Sequence, residues 1–514
     1  MRIKRFCSLL MAAVMGLTMM GCGAGPIGDA ENGLAGLKAS VGPNAMPELN
    51  PDEEPEAHWN DPYQTPAPPS DDEEPEAHAA TSYAPAASVK PIAGQIVKAS
   101  YPETVPYPIE SDYIGQNGAF NEAYFDAYEK WMNAQEARPD LTADEIKGLY
   151  PFFKDGVKQF LNGAENRVCS PLNIYMALSM LSGLTAGNSQ AQILKLLDAK
   201  TPEALSAQAN RIWNALYTDD GVSSTLLGSS LWLNETVRFN ADTLKKVAAN
   251  FYASSYAGKM GSPEFDAALR AWLNEQTRGL LSEQAGGVSM DPETLLALAT
   301  TIYFKAKWED EFSEYATKPD TFHAVNGDRN APFMNQTVRD SFYTGDGFTA
   351  VYKRLRDSGM WLILPDKGKT PADLLNNGAA MDFLSDPDKY ATNYEADIEL
   401  SLPKFDVTSD LDLIGGLKAL GVTDVFSAAA SDFTPMTAAR DDIVIGQAKH
   451  AARVKIDEEG CEAAAFTVMM AVGTAMPQPL PKVQFKLDRP FLFAVTATAG
   501  LPLFVGAVQT PVDA

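Results

Sequence analysis

Cysteine is scarce in this chain, with four in 514 residues. Cys7 and Cys22 fall in the N-terminal leader, and the two that remain, Cys169 and Cys461, make no disulfide framework. Histidine is equally rare. His323 and His450 stand alone, and the cysteines are not in pairs, so no metal site and no cofactor is expected. The chain has no G-x-S-x-G, no phosphate-cradling glycine loop and no G-x-G-x-x-G opening a helix. Hydrolase and nucleotide chemistry therefore lack their usual signatures, and nothing supports a Ser-His-Asp arrangement around His323 or His450. The chain does not read as an enzyme. Positive charge is short as well: 41 Lys and Arg against 67 Asp and Glu, a net charge of −26. Nucleic acid selects basic surfaces and is not an expected partner. An anionic bilayer would also repel such a chain, so membrane attachment would need a covalent or spanning device.

The first 21 residues supply a candidate. Arg2, Lys4 and Arg5 precede an apolar run from Leu9 to Met20. The run is too short to cross a bilayer and has the form of a secretory signal peptide. It ends Met19-Met20-Gly21-Cys22, which resembles the lipobox of bacterial lipoproteins, with Met19, three before the cysteine, in place of the commoner leucine. That resemblance implies lipidation of Cys22 and a protein exported and held at a bacterial cell surface.

From Cys22 to residue 116 the chain is rich in Pro, Ala, Glu and Asp and has no sustained periodicity, as expected of a disordered spacer. Asp52-Glu-Glu-Pro-Glu-Ala-His58 recurs as Asp72-Glu-Glu-Pro-Glu-Ala-His78. Its histidines read as part of a solvated, charged linker unit rather than as metal ligands. Proline stiffness and like charge extend such a segment, to a reach on the order of 200 Å.

Order is expected from residue 117 to 514, as one large domain. Phe120, Tyr124, Tyr128 and Trp131 repeat at helical spacing. Thr142 with Glu145 forms a capping-box pattern. Ser170-Pro171, Thr201-Pro202, Ser262-Pro263, Asp291-Pro292 and Thr370-Pro371 pair a capping residue with proline and mark helix starts. Leu295 to Phe304 is nearly all apolar, as in a buried strand or helix. Met360–Leu364, Ile398–Phe405, Ile443–Ile445, Val454–Ile456, Val483–Leu487, Phe491–Val495 and Leu501–Val508 read as strands. Helices come first and strands later without regular alternation, so the fold class is α+β.

One stretch organises the rest. Val454 to Met476 opens as a strand and turns at Glu458, Glu459 and Gly460. It then runs through the small residues Cys461, Ala463, Ala464 and Ala465 to a proline-rich exit. Composition alone reads it as a surface loop or as an extended loop able to become a strand.

The motifs around it decide between these. Asn166-Arg-Val-Cys-Ser170-Pro171-Leu172-Asn173-Ile174, Asp291-Pro-Glu-Thr-Leu-Leu through Thr301-Ile-Tyr-Phe-Lys-Ala-Lys-Trp308, Leu402-Pro-Lys-Phe405, Asp432-Phe-Thr434 and Arg489-Pro-Phe-Leu-Phe493 resemble, in order, segments of the serpins, a family of serine protease inhibitors. The likeness spans about residue 140 to 511, with the aromatic helix before it as an N-terminal extension. It implies a serpin fold of about eight or nine helices and three β-sheets with an exposed reactive loop. It also implies a suicide mechanism: a protease cleaves the loop, forms an acyl-enzyme, and is dragged and distorted as the severed loop inserts into the main sheet.

The resemblance assigns Glu458, Glu459, Gly460, Cys461, Glu462, Ala463, Ala464 and Ala465 to the hinge. Ser170, Asn173 and His450 match the shutter, the polar cluster beneath the sheet where its strands part. Trp308 matches the breach, where the loop first enters. Thr300 stands where the family usually has asparagine. Family spacing puts the scissile bond about fourteen residues after Gly460, at Thr474-Ala475, with Met476 the alternative. Insertion buries alternate positions, here Cys461, Ala463, Ala465, Thr467, Met469 and Ala471, none of them charged; Glu462 falls on the other parity. A small residue at the cleaved bond suits elastase-like or subtilisin-like proteases, and no basic helix suited to heparin is present. The expected partner is a target serine protease, bound covalently by a monomeric inhibitor. The alternatives are a non-inhibitory surface binding or adhesion module, and cross-class inhibition of cysteine proteases.

Overall fold

The computed structural model of the chain describes residues 92–115, 120–437, 443–461, 480–497 and 500–512. The leader, Cys22 and the duplicated linker unit lie outside the described residues. The chain divides into two units, 1–80 and 81–514, and every described residue belongs to the second.

Local chemistry sets the helix starts. Thr142 and Glu145 make the reciprocal capping box, and Asn121 caps the Glu122–Glu136 helix by accepting from the Tyr124 amide. Ser170, Thr201, Ser262 and Thr370 each cap a helix whose first residue is proline. Asp291-Pro292 does not. There the Thr294 amide donates to Asp291 O at 2.9 Å, and the chain turns straight into a strand from Leu296. Asp–Pro serves a turn as well as a cap, and only the residues downstream of it distinguish the two.

Three sheets form among the described residues. The first runs β1 (Gln95–Val97), β5 (Ala253–Gly258), β4 (Ser223–Asn234), β6 (Leu296–Lys307) and β14 (Gly460–Cys461), with β3 (Thr218–Asp219) paired to β4. The second runs β15 (Lys482–Lys486), β11 (Ala391–Pro403), β8 (Gly327–Gly345), β9 (Phe348–Leu355), β10 (Ser358–Pro365), β16 (Phe491–Ala497), β17 (Pro502–Val508) and β2 (Arg167–Cys169). On this sheet β7 (Lys318–Ala324) pairs with β8. The third is the antiparallel pair β12 (Asp406–Asp412) and β13 (Lys449–Lys455). Among the described residues seven helices run ten residues or more, with shorter pieces between. The arrangement is the expected α+β fold.

The Pro171–Ser182 helix is buried on nearly all sides and packs against both β6 and β17. Each Leu or Ile it buries stabilises the fold by roughly 1.5–3 kcal/mol. This fixes the start of that helix rigidly beneath the first sheet.

Two expectations about order change. Ile443–Ile445 is not a strand: Ile443 and Ile445 are buried, and the Ile445 amide donates to Val425 O in a loop. Residues 92–115 belong with the folded domain rather than the spacer. β1 pairs with β5, and the Ala99 amide donates to Ser254 Oγ at 3.1 Å. Tyr101 stacks on Trp213 and Tyr217, each 5.7 Å away, and the Tyr107 amide donates to Asp220 O at 2.8 Å. The Trp131 indole donates to Asp220 Oδ2 at 3.1 Å, so this segment and the aromatic helix dock on one turn. A Pro-rich composition hid aromatic residues whose partners lie on the next helix, for Tyr107, or more than a hundred residues away, for Tyr101.

Candidate functional site

β13 leads into the site. His450, Ala452 and Val454 face inward along it, and Ile456 continues the buried series. At Asp457 the chain reverses. The Asp457 amide donates to Gly460 O at 3.1 Å, and its carboxylate Oδ1 accepts from the amides of Glu459 (3.1 Å) and Gly460 (3.2 Å). An aspartate that satisfies two amides of its own turn makes that turn stiff.

The chain leaves the turn as β14, antiparallel to β6, with Gly460 opposite Lys307 and Cys461 opposite Ala306. Cys461 also bridges Ile456 on the incoming side. Gly460 is required by close approach: a Cβ there would sit 2.8 Å from Lys307 Cα and nearer still to Ala306 O. Cys461 is buried, as its parity requires. Glu462, Ala463, Ala464 and Ala465 of the hinge, and Thr474, Ala475 and Met476, lie outside the described residues.

Three successive carbonyls of the turn are held by one segment. The Trp308 indole Nε1 donates to Asp457 O (2.9 Å), the Phe312 amide to Glu458 O (2.9 Å) and the Trp308 amide to Glu459 O (3.0 Å). The Glu458 side chain is anchored separately. Its Oε2 lies 2.6 Å from Lys404 Nζ, and its Oε1 accepts from the Thr317 hydroxyl at 2.7 Å. Burial pushes this carboxyl up, but the Lys404 ammonium and the Thr317 hydroxyl outweigh burial and hold it below the ordinary range. Sequence reading assigned Glu458 and Trp308 but missed Phe312, Thr317 and Lys404. Lys404 lay within the Leu402–Phe405 motif, though nothing local identifies a partner 54 positions on.

Among the described residues no ladder joins β6 to β13. The two strands meet through β14 at one end and through the Pro171–Ser182 helix below. Ser170 Oγ accepts from the Asn173 amide, the Asn173 side-chain amide donates to Thr300 O on β6 at 3.2 Å, and the Ser170 amide donates to His450 Nε2 on β13 at 2.9 Å. One helix start therefore grips both sides of the parting. Ser170, Asn173 and His450 are brought together at this helix start, and Trp308 sits at the turn. The threonine at 300 costs no contact here, because Asn173 uses its main-chain oxygen.

His450 is buried and its imidazole is pushed down to about 4 by burial. Nε2 accepts, so the neutral ring carries its proton on Nδ1. It binds the Ser170 amide and not the hydroxyl, which is already a helix cap, so the pair is not a nucleophile and base. His323 is exposed and pairs with Asp328.

A family model described as serpin (serine protease inhibitor) matches residues 153–511, and the chain belongs to the serpin family. It is 30% identical over 362 residues to leukocyte elastase inhibitor of Sus scrofa, covering 68% of this chain and 94% of that protein. Serpin-ZX of Arabidopsis thaliana is 27% identical over 366 residues, covering 67% and 92%. Among solved structures, the thermophilic serpin tengpin in its native state matches with a TM-score of 0.63 at 24% identity, covering 73% of this chain and 96% of that one. Human thyroxine-binding globulin complexed with its ligand matches with a TM-score of 0.62 at 19% identity, covering 72% and 99%.

Proposed function

We propose that this serpin is a suicide inhibitor of elastase-like or subtilisin-like serine proteases. The protease cleaves the loop at Thr474-Ala475, and the loop inserts as a strand between β6 and β13. The observation that carries the reading is the turn at Asp457–Gly460. It has already reversed the chain and laid Gly460–Cys461 antiparallel on β6, at the mouth of a parting that no ladder closes among the described residues. A strand continuing from Cys461 would bury the uncharged set of residues and leave Glu462 facing outward, which avoids the several kcal/mol that a buried carboxylate costs. Resemblance to leukocyte elastase inhibitor agrees with a small residue at the cleaved bond.

Mixing the full chain with pancreatic elastase should give an SDS-stable complex and a C-terminal fragment beginning at Ala475. Cleaved inhibitor without complex at every ratio would refute inhibition, and a fragment beginning elsewhere would move the bond. The same proposal places the domain outside the cell on a lipid carried by Cys22. Cys22→Ala should then release it to the medium, and unchanged membrane partition would refute the anchor.

A further inference from the structure

Lys353 is a charged side chain in an unusual place. It lies on β9, only 3% exposed, and among the described residues no carboxylate oxygen is within ion-pair distance of its Nζ. An ammonium buried without a counter-charge is costly unless other groups replace its hydration. Here Nζ donates to Asp310 O at 2.5 Å and to Gln336 Oε1 on β8 at 2.7 Å. It also lies over two aromatic faces, 4.9 Å from the Phe312 ring centre and 5.8 Å from that of Trp308.

All but one of these contacts are to the segment 308–312. That segment supplies every donor to the three carbonyls of the turn at Asp457, Glu458 and Glu459. Its own ties are few. The Glu309 amide donates to Arg354 O, Trp308 bridges Leu355, Lys307 Nζ on β6 donates to Glu311 Oε1 at 3.2 Å, and Gln336 Nε2 donates to Glu311 O at a long 3.3 Å. The middle of the segment, at Asp310, is held by the Lys353 ammonium.

We propose that Lys353 is a positioning residue for loop insertion: it ties segment 308–312 to the second sheet and so keeps the pivot turn in register with β6. The proposal rests on the insertion reading above. A pivot that wanders lets the cleaved loop start late, and the acyl-enzyme is then hydrolysed before it is trapped. The device has a limited pH range. Burial pushes the Lys353 ammonium down to about 8, against the opposing pull of the Asp310 and Glu309 carboxylates. Beyond these, Arg354 and Asp357 are the charged groups near Glu309; Gln336, Trp308 and Phe312 are neutral. Lys353 is thus protonated at neutral pH and loses its proton as pH rises through about 8. Above that it no longer offers a charged donor to Asp310 O.

The test separates this role from inhibition itself. In the unreacted full chain, hydrogen exchange at the Trp308 and Phe312 amides should be about tenfold less protected in Lys353→Met than in wild type at pH 7, the loss of one charge-assisted hydrogen bond. The β10–β16 ladder should be unchanged. Wild type should lose the same protection between pH 7 and pH 9.5, and Lys353→Arg, which does not titrate there, should keep it. With elastase, the moles of inhibitor consumed per mole of enzyme trapped should rise over that pH interval in wild type and stay level in Lys353→Arg. Equal protection at Trp308 and Phe312 in Lys353→Met and wild type would overturn the proposal. So would loosening that extends through the β10–β16 ladder, since that marks a general packing role. If Lys353→Met does not fold, the wild-type pH profile decides alone. Should wild type form no complex with elastase, the inhibitor reading fails while the exchange data still decide what Lys353 holds.

Discussion

Lys404→Met removes the cation that pairs with Glu458. The carboxylate would remain at the turn, its side chain 10% exposed, with the Thr317 hydroxyl on Oε1 and its own main-chain amide as neutral partners. Breaking a fully buried pair costs about 3–5 kcal/mol, whereas an exposed pair contributes less than about 1. The Lys404 side chain keeps 29% of its exposure, so the pair lies between these limits, and about 2 kcal/mol is expected at neutral pH. For a domain of this size the melting temperature should fall on the order of 2–5 °C.

The pH dependence gives the sharper check. The folded carboxyl of Glu458 lies below its ordinary range, so the stability it contributes is present above the unfolded pKa, about 4.3. That contribution is lost as pH falls through the folded value. In Lys404→Met the lysine no longer holds the carboxyl down, burial pushes it up, and it takes a proton at a higher pH. The stability gap between wild type and variant should therefore be wide at pH 7 and narrow near pH 4, measured by urea unfolding. Adding Glu458→Gln to the variant should recover most of the loss. A gap of equal size at both pH values, or no recovery in the double variant, would refute the account.

Gly460→Ala puts a methyl against Ala306 O and Lys307, so β14 must leave β6. Elastase should then cleave the loop with little trapping, read as the ratio of cleaved to complexed inhibitor on a denaturing gel; wild-type complex yield would contradict the close-approach argument. His450 is neutral in the fold, with a pKa pushed from 6.5 to about 4. A depressed folded pKa means stability that is complete above pH 6.5 and lost as pH falls toward 4, about 3 kcal/mol in all. His450→Gln should flatten that part of the stability profile, and an unchanged slope would assign it to other groups.

The parts of the fold legible in the sequence were those written locally. A threonine with glutamate three residues on, or serine before proline, closes hydrogen bonds within its own turn, and four of the five capping pairs started helices as read. Asp291-Pro292 has the same local chemistry, but the strand-forming run from Leu296 takes over at once. Family motifs are what drew attention to Glu458, Gly460, Trp308, Ser170, Asn173 and His450, whose contacts the structure describes. The supports behind them were not. Lys404 and Thr317 meet Glu458 only after the chain has folded, and a lysine on a strand such as Lys353 reads by default as facing solvent. Tyr101 was lost in a proline-rich stretch because its ring partners Trp213 and Tyr217 lie more than a hundred positions on, and Tyr107 because nothing in that stretch marks it as a partner of Tyr128 and Trp131 on the helix that follows.

These supports differ in what insertion asks of them. The turn at Asp457–Gly460 is already reversed, so its three carbonyl contacts and the Glu458–Lys404 pair can persist while a strand grows from Cys461. If the loop inserts as proposed, the contacts at Ser170, Asn173 and His450 cannot stay as they are. Asn173 holds β6 and Ser170 holds β13 from a single buried helix start, and widening the parting by one strand must stretch one of these bonds or move the helix. Two hydrogen bonds contribute about 1–3 kcal/mol together. A strand entering between β6 and β13 would gain a ladder on each side, at roughly 0.5–1.5 kcal/mol per bond, and about 0.8 kcal/mol for each buried methyl of the alternate alanines. Several residues of growth therefore outweigh the shutter. Under the proposed mechanism, the cluster at Ser170, Asn173 and His450 would delay insertion while the loop is tethered at both ends, but once the loop is cut it would be too weak to stop the strand.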